Sequence, residues 1–460
     1  MAGPPAAALG AAGRAPHAMM PAACESAAPV QRAGARARTQ WTVPWVLVCA
    51  AVIACGLWSA RSTLPWIVCA GPASIKVDLD CDWLTGAVAR QESFGQTLKW
   101  WAGPWCYERI PYYRPLTSLF FWWEYRAFGP DGLRWFTLVH LLSHLLTVSL
   151  VLGLLVEVMG RARGALAAGL FALAAPRGFG LGNIESAFPA WKDSCDLWCA
   201  ASVAGSLWCF ARALRLGSRR LLVASLSLFV MALTFKEMAY VTPVLAALTA
   251  WRLGRLGVDR RWVAAFFALA AAALLFRLWA LGGMGYHYST NGAWHHRLLL
   301  LAVGPPARAA ANLDLLPLSL VLVIAGVVLG MAGRRLGALV AAALGAAGTV
   351  ASATLLGIPV TDLLFRLLMP EVWAEAAHVG LFGLLALRHV ARRDRDQTWA
   401  YLWVLAALAP LARMPIGEHG LYLATVGWGV WLAVAGLDVA ESAARMARQA
   451  SAGMHGRAEA

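Results

Sequence analysis

Apolar runs of about 13–24 residues recur along most of the chain, separated by short polar stretches. They fall near 44–60, 133–156, 164–176, 197–211, 220–235, 238–251, 262–282, 317–333, 337–356, 372–387, 399–412 and 420–437. A helix normal to a bilayer needs roughly 20 residues, so the shorter runs must extend into their flanks. The pattern predicts an all-α polytopic membrane protein, a bundle of about 12 transmembrane helices. Residues 1–43, rich in Ala, Pro, Gly and Arg without periodicity, read as a disordered tail. Residues 44–437 form the membrane domain and 438–460 a second tail.

Composition supports this reading. Hydrophobic residues make up 60% of the chain and charged residues 14%, with mean hydropathy +0.62, whereas soluble domains carry about 25% charged residues. The net charge of +15 would point to nucleic acid on a soluble protein. Here the arginines lie between apolar runs, and no nucleic-acid partner is expected.

Their placement sets the orientation. Arg161 and Arg163, then Arg212, Arg215, Arg219 and Arg220, then Arg252, Arg255, Arg260 and Arg261 fall in alternate loops. Arg334 and Arg335, and Arg388, Arg392, Arg393 and Arg395, continue the alternation. The positive-inside rule makes these loops and both termini cytoplasmic, in the cytoplasmic (inner) membrane. Lys76, Lys99, Lys192 and Lys236 all land outside.

The first outer segment, 61–132, is far longer than a connection requires, and long loops are usually functional. It carries Asp78, Asp80 and Asp82 at alternate positions. On an extended strand these carboxylates share one face; on a helix they spread around it. Crowded carboxylates raise at least one pKa and favour a general base, the alternatives being a solvated acidic end or a cation site. The loop's tryptophans read mainly as interface anchors, with a sugar-stacking platform as the other use. Tyr112 to Trp123 is expected to form an interfacial helix, with Leu116, Leu119 and Phe120 toward lipid and Arg114 toward a cleft. Cys81 and Cys106 would pair only if the loop faces an oxidising compartment.

Further outer segments hold Glu185, Lys192, Asp193 and Asp196, then the tight tip with Lys236 and Glu237. That tip is either functional charge at membrane depth or a local pair anchoring the hairpin. His140 and His144 sit one helical turn apart; with no third ligand at helical spacing, interhelical hydrogen bonding is the preferred reading over metal. Arg413, Glu418, His419 and Tyr422 gather at the outer mouth of the last helix pair.

Several segments, in order, resemble the GT-C superfamily, and within it the O-mannosyltransferase-like membrane glycosyltransferases whose members often carry TPR repeats. DLDCDW resembles that family's paired-acid motif, and YYRPLTSLFFWWEYRAFG its Tyr-Arg-Pro-Leu stretch. WFTLVHLLSH is similar to its FHLxNxLLH helix, with His144 at the second His. Pro176, Glu185, Trp191 and Asp196 look like its HP…E…W…GRxD loop, although Ala175 replaces the His and the GR pair is absent. FKEMAYVTPVLAAL resembles its SKE segment, and LAPLARMPIGEHGLYLATVG its ERYLYLPSxG ending, with His419 at the Arg.

The resemblance implies a hexosyltransferase acting on the outer face with a polyprenyl-phosphate sugar donor. Asp80 or Asp82 would be the catalytic base, with Glu185 and Asp196 assisting the acceptor. Arg114, Lys192 and Lys236 would bind the donor phosphate, and Glu237, His144, Glu418 and His419 would line the cleft. No cofactor is implied, although the resemblance leaves a divalent metal open. The acceptor is a protein, glycan or lipid hydroxyl. Two other readings fit the same span count: a transporter or flippase of lipid-linked saccharide, and an inactive scaffold of the GT-C fold.

Overall fold

A computed structural model of the chain describes residues 45–68, 79–106, 111–174, 194–257, 259–283, 394–410 and 422–458. Every described element is helical. The expected spans at 317–333, 337–356 and 372–387 lie outside the described residues.

The helices are α1 (Trp45–Ser59), α2 (Leu64–Val68), α3 (Leu79–Ala89), α4 (Phe94–Thr97), α5 (Pro115–Phe128), α6 (Leu133–Met159) and α7 (Arg161–Ala174). They continue as α8 (Ser194–Leu216), α9 (Arg219–Phe235), α10 (Thr242–Arg252), α11 (Arg260–Leu281), α12 (Arg395–Leu408) and α13 (Tyr422–Ala458). A 3-10 turn, Glu237–Val241, joins α9 to α10.

Three of these helices, α6, α8 and α11, are long and apolar enough to cross a membrane. The run expected to span 238–251 is broken instead. The 3-10 turn and Pro243 at the start of α10 leave only 11 helical residues, about 16 Å of rise against a hydrocarbon core of about 30 Å. At the other extreme, α13 continues through Ala458, well past residue 437, where the last span was expected to end.

Six helices close a circuit. α6 packs on α8, α8 on α10, α10 on α12, α12 on α13, α13 on α7, and α7 on α6. α1 lies against α6 and α7, α9 against α8, and α11 against α9 and α10. Apolar side chains gain little by leaving lipid for a protein interior, so close backbone approach and interhelical hydrogen bonds matter more here. Gly429 of α13 is such a place: a Cβ there would lie 2.7 Å from the Ala167 carbonyl oxygen of α7.

Hydroxyls supply the bonds. Ser206 and Ser225 each donate to the other's carbonyl oxygen, at 2.8 and 2.7 Å, joining α8 to α9. Ser59 donates to the Ala172 carbonyl at 2.7 Å, and the Trp403 indole to that of Leu423 at 2.9 Å.

The described part of the long segment between α1 and α6 is itself folded. Leu84, Val88, Trp100, Trp105, Tyr112, Phe121 and Phe136 form a small second core that seats α3 and α5 on the start of α6. Phe120 faces protein rather than lipid, packing 5.0 Å from Trp198 and 5.2 Å from Phe235, while Trp123 is exposed.

Replacing Gly429 with Ala should destabilise the detergent-solubilised protein by about 1–3 kcal/mol, because two backbones must separate. Gly169→Ala on α7, where nothing lies within 4 Å of the added Cβ, should be neutral or mildly stabilising. Thermal unfolding of both variants reads the difference.

Candidate functional site

Buried charge collects where α5, α8, α9 and α11 meet. Pro115 occupies the first turn of α5 and keeps Arg114 out of the helical region (φ −142°, ψ 61°), so the helix starts beside that arginine. The Thr117 hydroxyl donates to the Phe235 carbonyl at 2.6 Å and pins the start of α5 to the end of α9. The chain turns sharply there: Lys236 is extended (φ −157°), and Glu237 opens the 3-10 turn.

Arg114 therefore faces Glu237. Its Nε and Nη2 donate to Glu237 Oε2 at 2.9 and 2.5 Å. From the far side, Arg277 Nη1 lies 3.1 Å from Glu237 Oε1. One carboxylate thus bridges two guanidinium groups, and all three side chains are about nine-tenths buried. The Arg114 guanidinium also lies over the rings of Tyr112 and Trp105, 4.0 and 4.9 Å from their centroids. Next along the chain, Lys236 Nζ pairs with Asp196 Oδ2 in the first turn of α8.

Together these groups carry three positive and two negative charges, one net positive charge in a largely desolvated site. Burial by itself would raise the Glu237 carboxyl, but Arg114 first and Arg277 second outweigh it and hold the group below the usual carboxylate range. Burial opposes charge on Lys236 as well; Asp196 reverses that and pushes its pKa above the ordinary lysine value. Arg114 is raised in the same way, with Glu237 overcoming burial. Tyr113 is pushed up to about 12, by burial first and then by Tyr240. The cluster therefore remains ionised at neutral pH.

Of the residues expected from sequence, Arg114, Asp196, Lys236 and Glu237 are brought together. Arg114 and Lys236 were expected to bind phosphate, and each already has an internal carboxylate partner. Asp80 and Asp82 both fall on α3. The acidic segment is helical there rather than extended, so the two positions do not share one face of α3. Asp82 is exposed. α3 packs directly on α5, the helix that starts at Arg114. Glu185, Lys192, Glu418 and His419 lie outside the described residues, as do the side chains of Asp80 and Cys81.

His144 stands apart from the charge cluster. Its Nδ1 makes the expected interhelical hydrogen bond, 2.5 Å from the Tyr422 hydroxyl of α13. His140 Nε2 lies 3.7 Å from Glu124 Oε1, both side chains fully buried. No group of three metal-ligating side chains occurs among the described residues.

Arg277 was missed by sequence reasoning. Its signal was present, as a single arginine in the apolar stretch that follows the Arg260–Arg261 pair of α11, and charge at membrane depth is functional by default.

Glu237→Gln should cost about 3–5 kcal/mol, since two buried arginines lose their counter-ion. The pH dependence follows from the shifts. The Glu237 contribution is present above its ordinary pKa of about 4.3 and is lost as pH falls through its lower folded value. The Lys236 contribution is present below about 10.4 and is lost as pH rises through its higher folded value. The wild-type melting temperature attributable to this cluster should be flat between about pH 5 and 10 and fall in acid. The loss in acid should be smaller in Glu237→Gln.

Compared with known proteins, the chain matches no family model, no curated protein and no solved structure.

Proposed function

We propose that the chain is a GT-C-type membrane glycosyltransferase, with about 12 spans, both termini in the cytoplasm and its active cleft on the outer face of the cytoplasmic membrane. The observation that carries the proposal is the net positive cluster of Arg114, Arg277 and Lys236 around Glu237 and Asp196. A sugar leaving a lipid phosphate transfers negative charge to that phosphate, and fixed cations in a low-dielectric site stabilise it most.

Arg114 directs Nε and Nη2 toward Glu237 and Arg277 directs Nη1. Each retains further N–H donors for a phosphate oxygen. Glu237 and Asp196 hold the cations in place before the donor arrives, so little reorganisation accompanies reaction. Asp80 or Asp82 on α3 accepts the proton of the acceptor hydroxyl as that oxygen attacks the anomeric carbon. The bond to the lipid phosphate breaks and the anomeric configuration inverts. Because nucleotide sugars do not normally occur outside the cell, a polyprenyl-phosphate sugar suits this side of the membrane. Trp105 and Tyr112, stacked on Arg114, place aromatic faces beside the phosphate cradle.

The test is transfer from a radiolabelled polyprenyl-phosphate sugar into native membranes, which supply the acceptor. Asp80→Asn or Asp82→Asn should lower the rate by about 10²–10⁴-fold, as expected for loss of a general base, with donor binding retained. Lys236→Met should weaken donor binding as well. Full transfer by both Asn variants would overturn the mechanism.

A further inference from the structure

The opposite end of the bundle is arginine-rich, and its carboxylates are shared. Asp396 at the start of α12 is paired with both Arg163 and Arg252, the former at 2.8 Å. Glu157 at the end of α6 lies 3.5 Å from Arg212 and 3.5 Å from Arg215. These contacts bring the charged ends of α6, α7, α8, α10 and α12 to one face of the bundle.

Arg219, Arg220, Arg260 and Arg261 are different. All four are exposed, and among the described residues none forms an ion pair with a carboxylate. They occupy the first turns of α9 and α11, and both helices run away from the arginine-rich end. The two helices touch through Phe229 and Phe266, with ring centroids 5.2 Å apart. At 1.5 Å per residue, that contact lies about 15 Å along α9 and about 9 Å along α11. The two first turns therefore lie at the same end of the bundle, offset by about 6 Å along the helix axes, and each presents a pair of exposed arginines there.

The surface beyond them is apolar. On α9, Val223 and Val230 are 64% and 43% exposed; on α11, Phe267 and Leu275 are 48% and 67% exposed. Only 11% of the most apolar stretch of α11 is buried. Between the two zones Trp262 carries the Arg261 guanidinium 5.2 Å from its ring centroid, an aromatic–cation pair of the kind found at headgroup depth.

We propose that these four arginines bind the headgroup of an anionic phospholipid in the cytoplasmic leaflet, its acyl chains lying along the exposed face of α11. A guanidinium fork matches two oxygens of one phosphate. Four forks suit a headgroup with two phosphodiesters better than one with a single charge, and basic surfaces on the cytoplasmic side of membrane helices take such headgroups. Free phosphate offers the same oxygens without the chains that α11 would cover. The proposal rests on the membrane placement and orientation of the chain and is independent of glycosyl transfer.

The full chain is reconstituted into nanodiscs of phosphatidylcholine alone, or of phosphatidylcholine doped with phosphatidylglycerol or with diphosphatidylglycerol. Melting temperature and the lipid retained on the protein in native mass spectrometry are measured. Wild type should retain the two-phosphate lipid and melt several degrees higher in its presence, with a smaller response to phosphatidylglycerol and none to inorganic phosphate. In the variant with all four arginines changed to Gln, retention should fall on the order of 1,000-fold, while Arg161→Gln with Arg395→Gln should leave it unchanged. In phosphatidylcholine alone the fourfold variant should melt like wild type; if it does not, Arg219→Gln/Arg220→Gln and Arg260→Gln/Arg261→Gln are measured separately, each expected to weaken retention. Equal retention by wild type and the fourfold variant, or a stabilisation reproduced by phosphate, would overturn the lipid site while leaving the membrane placement intact. Failure of the wild type to enter nanodiscs would overturn the membrane placement itself.

Discussion

One buried carboxylate organises the end of the bundle that carries the candidate chemistry. Glu237 is held between Arg114 and Arg277, and each of its oxygens faces a different guanidinium. Neither arginine is stable in an apolar interior without a counter-ion, and Arg114 first and Arg277 second hold the Glu237 carboxyl below its ordinary range. That requirement fixes three elements together: the start of α5, the tip after α9 and the last turns of α11. The Lys236–Asp196 pair adds the start of α8. The surplus positive charge that remains is what makes this end suited to an anion.

The opposite end uses the same device with another balance. Asp396 and Glu157 each serve two arginines, so the circuit of six helices is closed by shared carboxylates at the level where α7, α10 and α12 meet. Between the two charged layers, contact between helices rests on glycine at crossings such as Gly429 and on hydroxyl-to-carbonyl bonds such as Ser206 with Ser225.

Much of this was legible in the sequence because charge alternation is a one-dimensional signal. Arg163, Arg252 and Asp396 fall in loops assigned to one side, and they meet in space. Arg114, Asp196, Lys236 and Glu237 fall in segments assigned to the other, and they also meet. Three things were not legible. The alternate acids fit a strand or a helix equally; the segment is helical, with Leu84 and Val88 of α3 packed into the small second core, so positions 80 and 82 do not share a face. The apolar run 238–251 was expected to span by extending into its flanks, yet the 3-10 turn Glu237–Val241 and Pro243 leave only Thr242–Arg252 as α-helix. Arg277 lies where hydropathy averages it away, and its partner is known only once α11 is placed beside α9.

In the proposed orientation the two charged ends lie on opposite sides of a membrane, with the Glu237 cluster outside. Single cysteines at Ser93, in the folded cap, and Leu216, at the arginine-rich end, are both exposed on the protein surface. A membrane-impermeant maleimide applied to intact cells, with the wild-type chain as background, reads their sides directly. The account predicts labelling of Ser93→Cys in intact cells and of Leu216→Cys only after permeabilisation. Labelling of Leu216→Cys from outside, with Ser93→Cys protected, would contradict it.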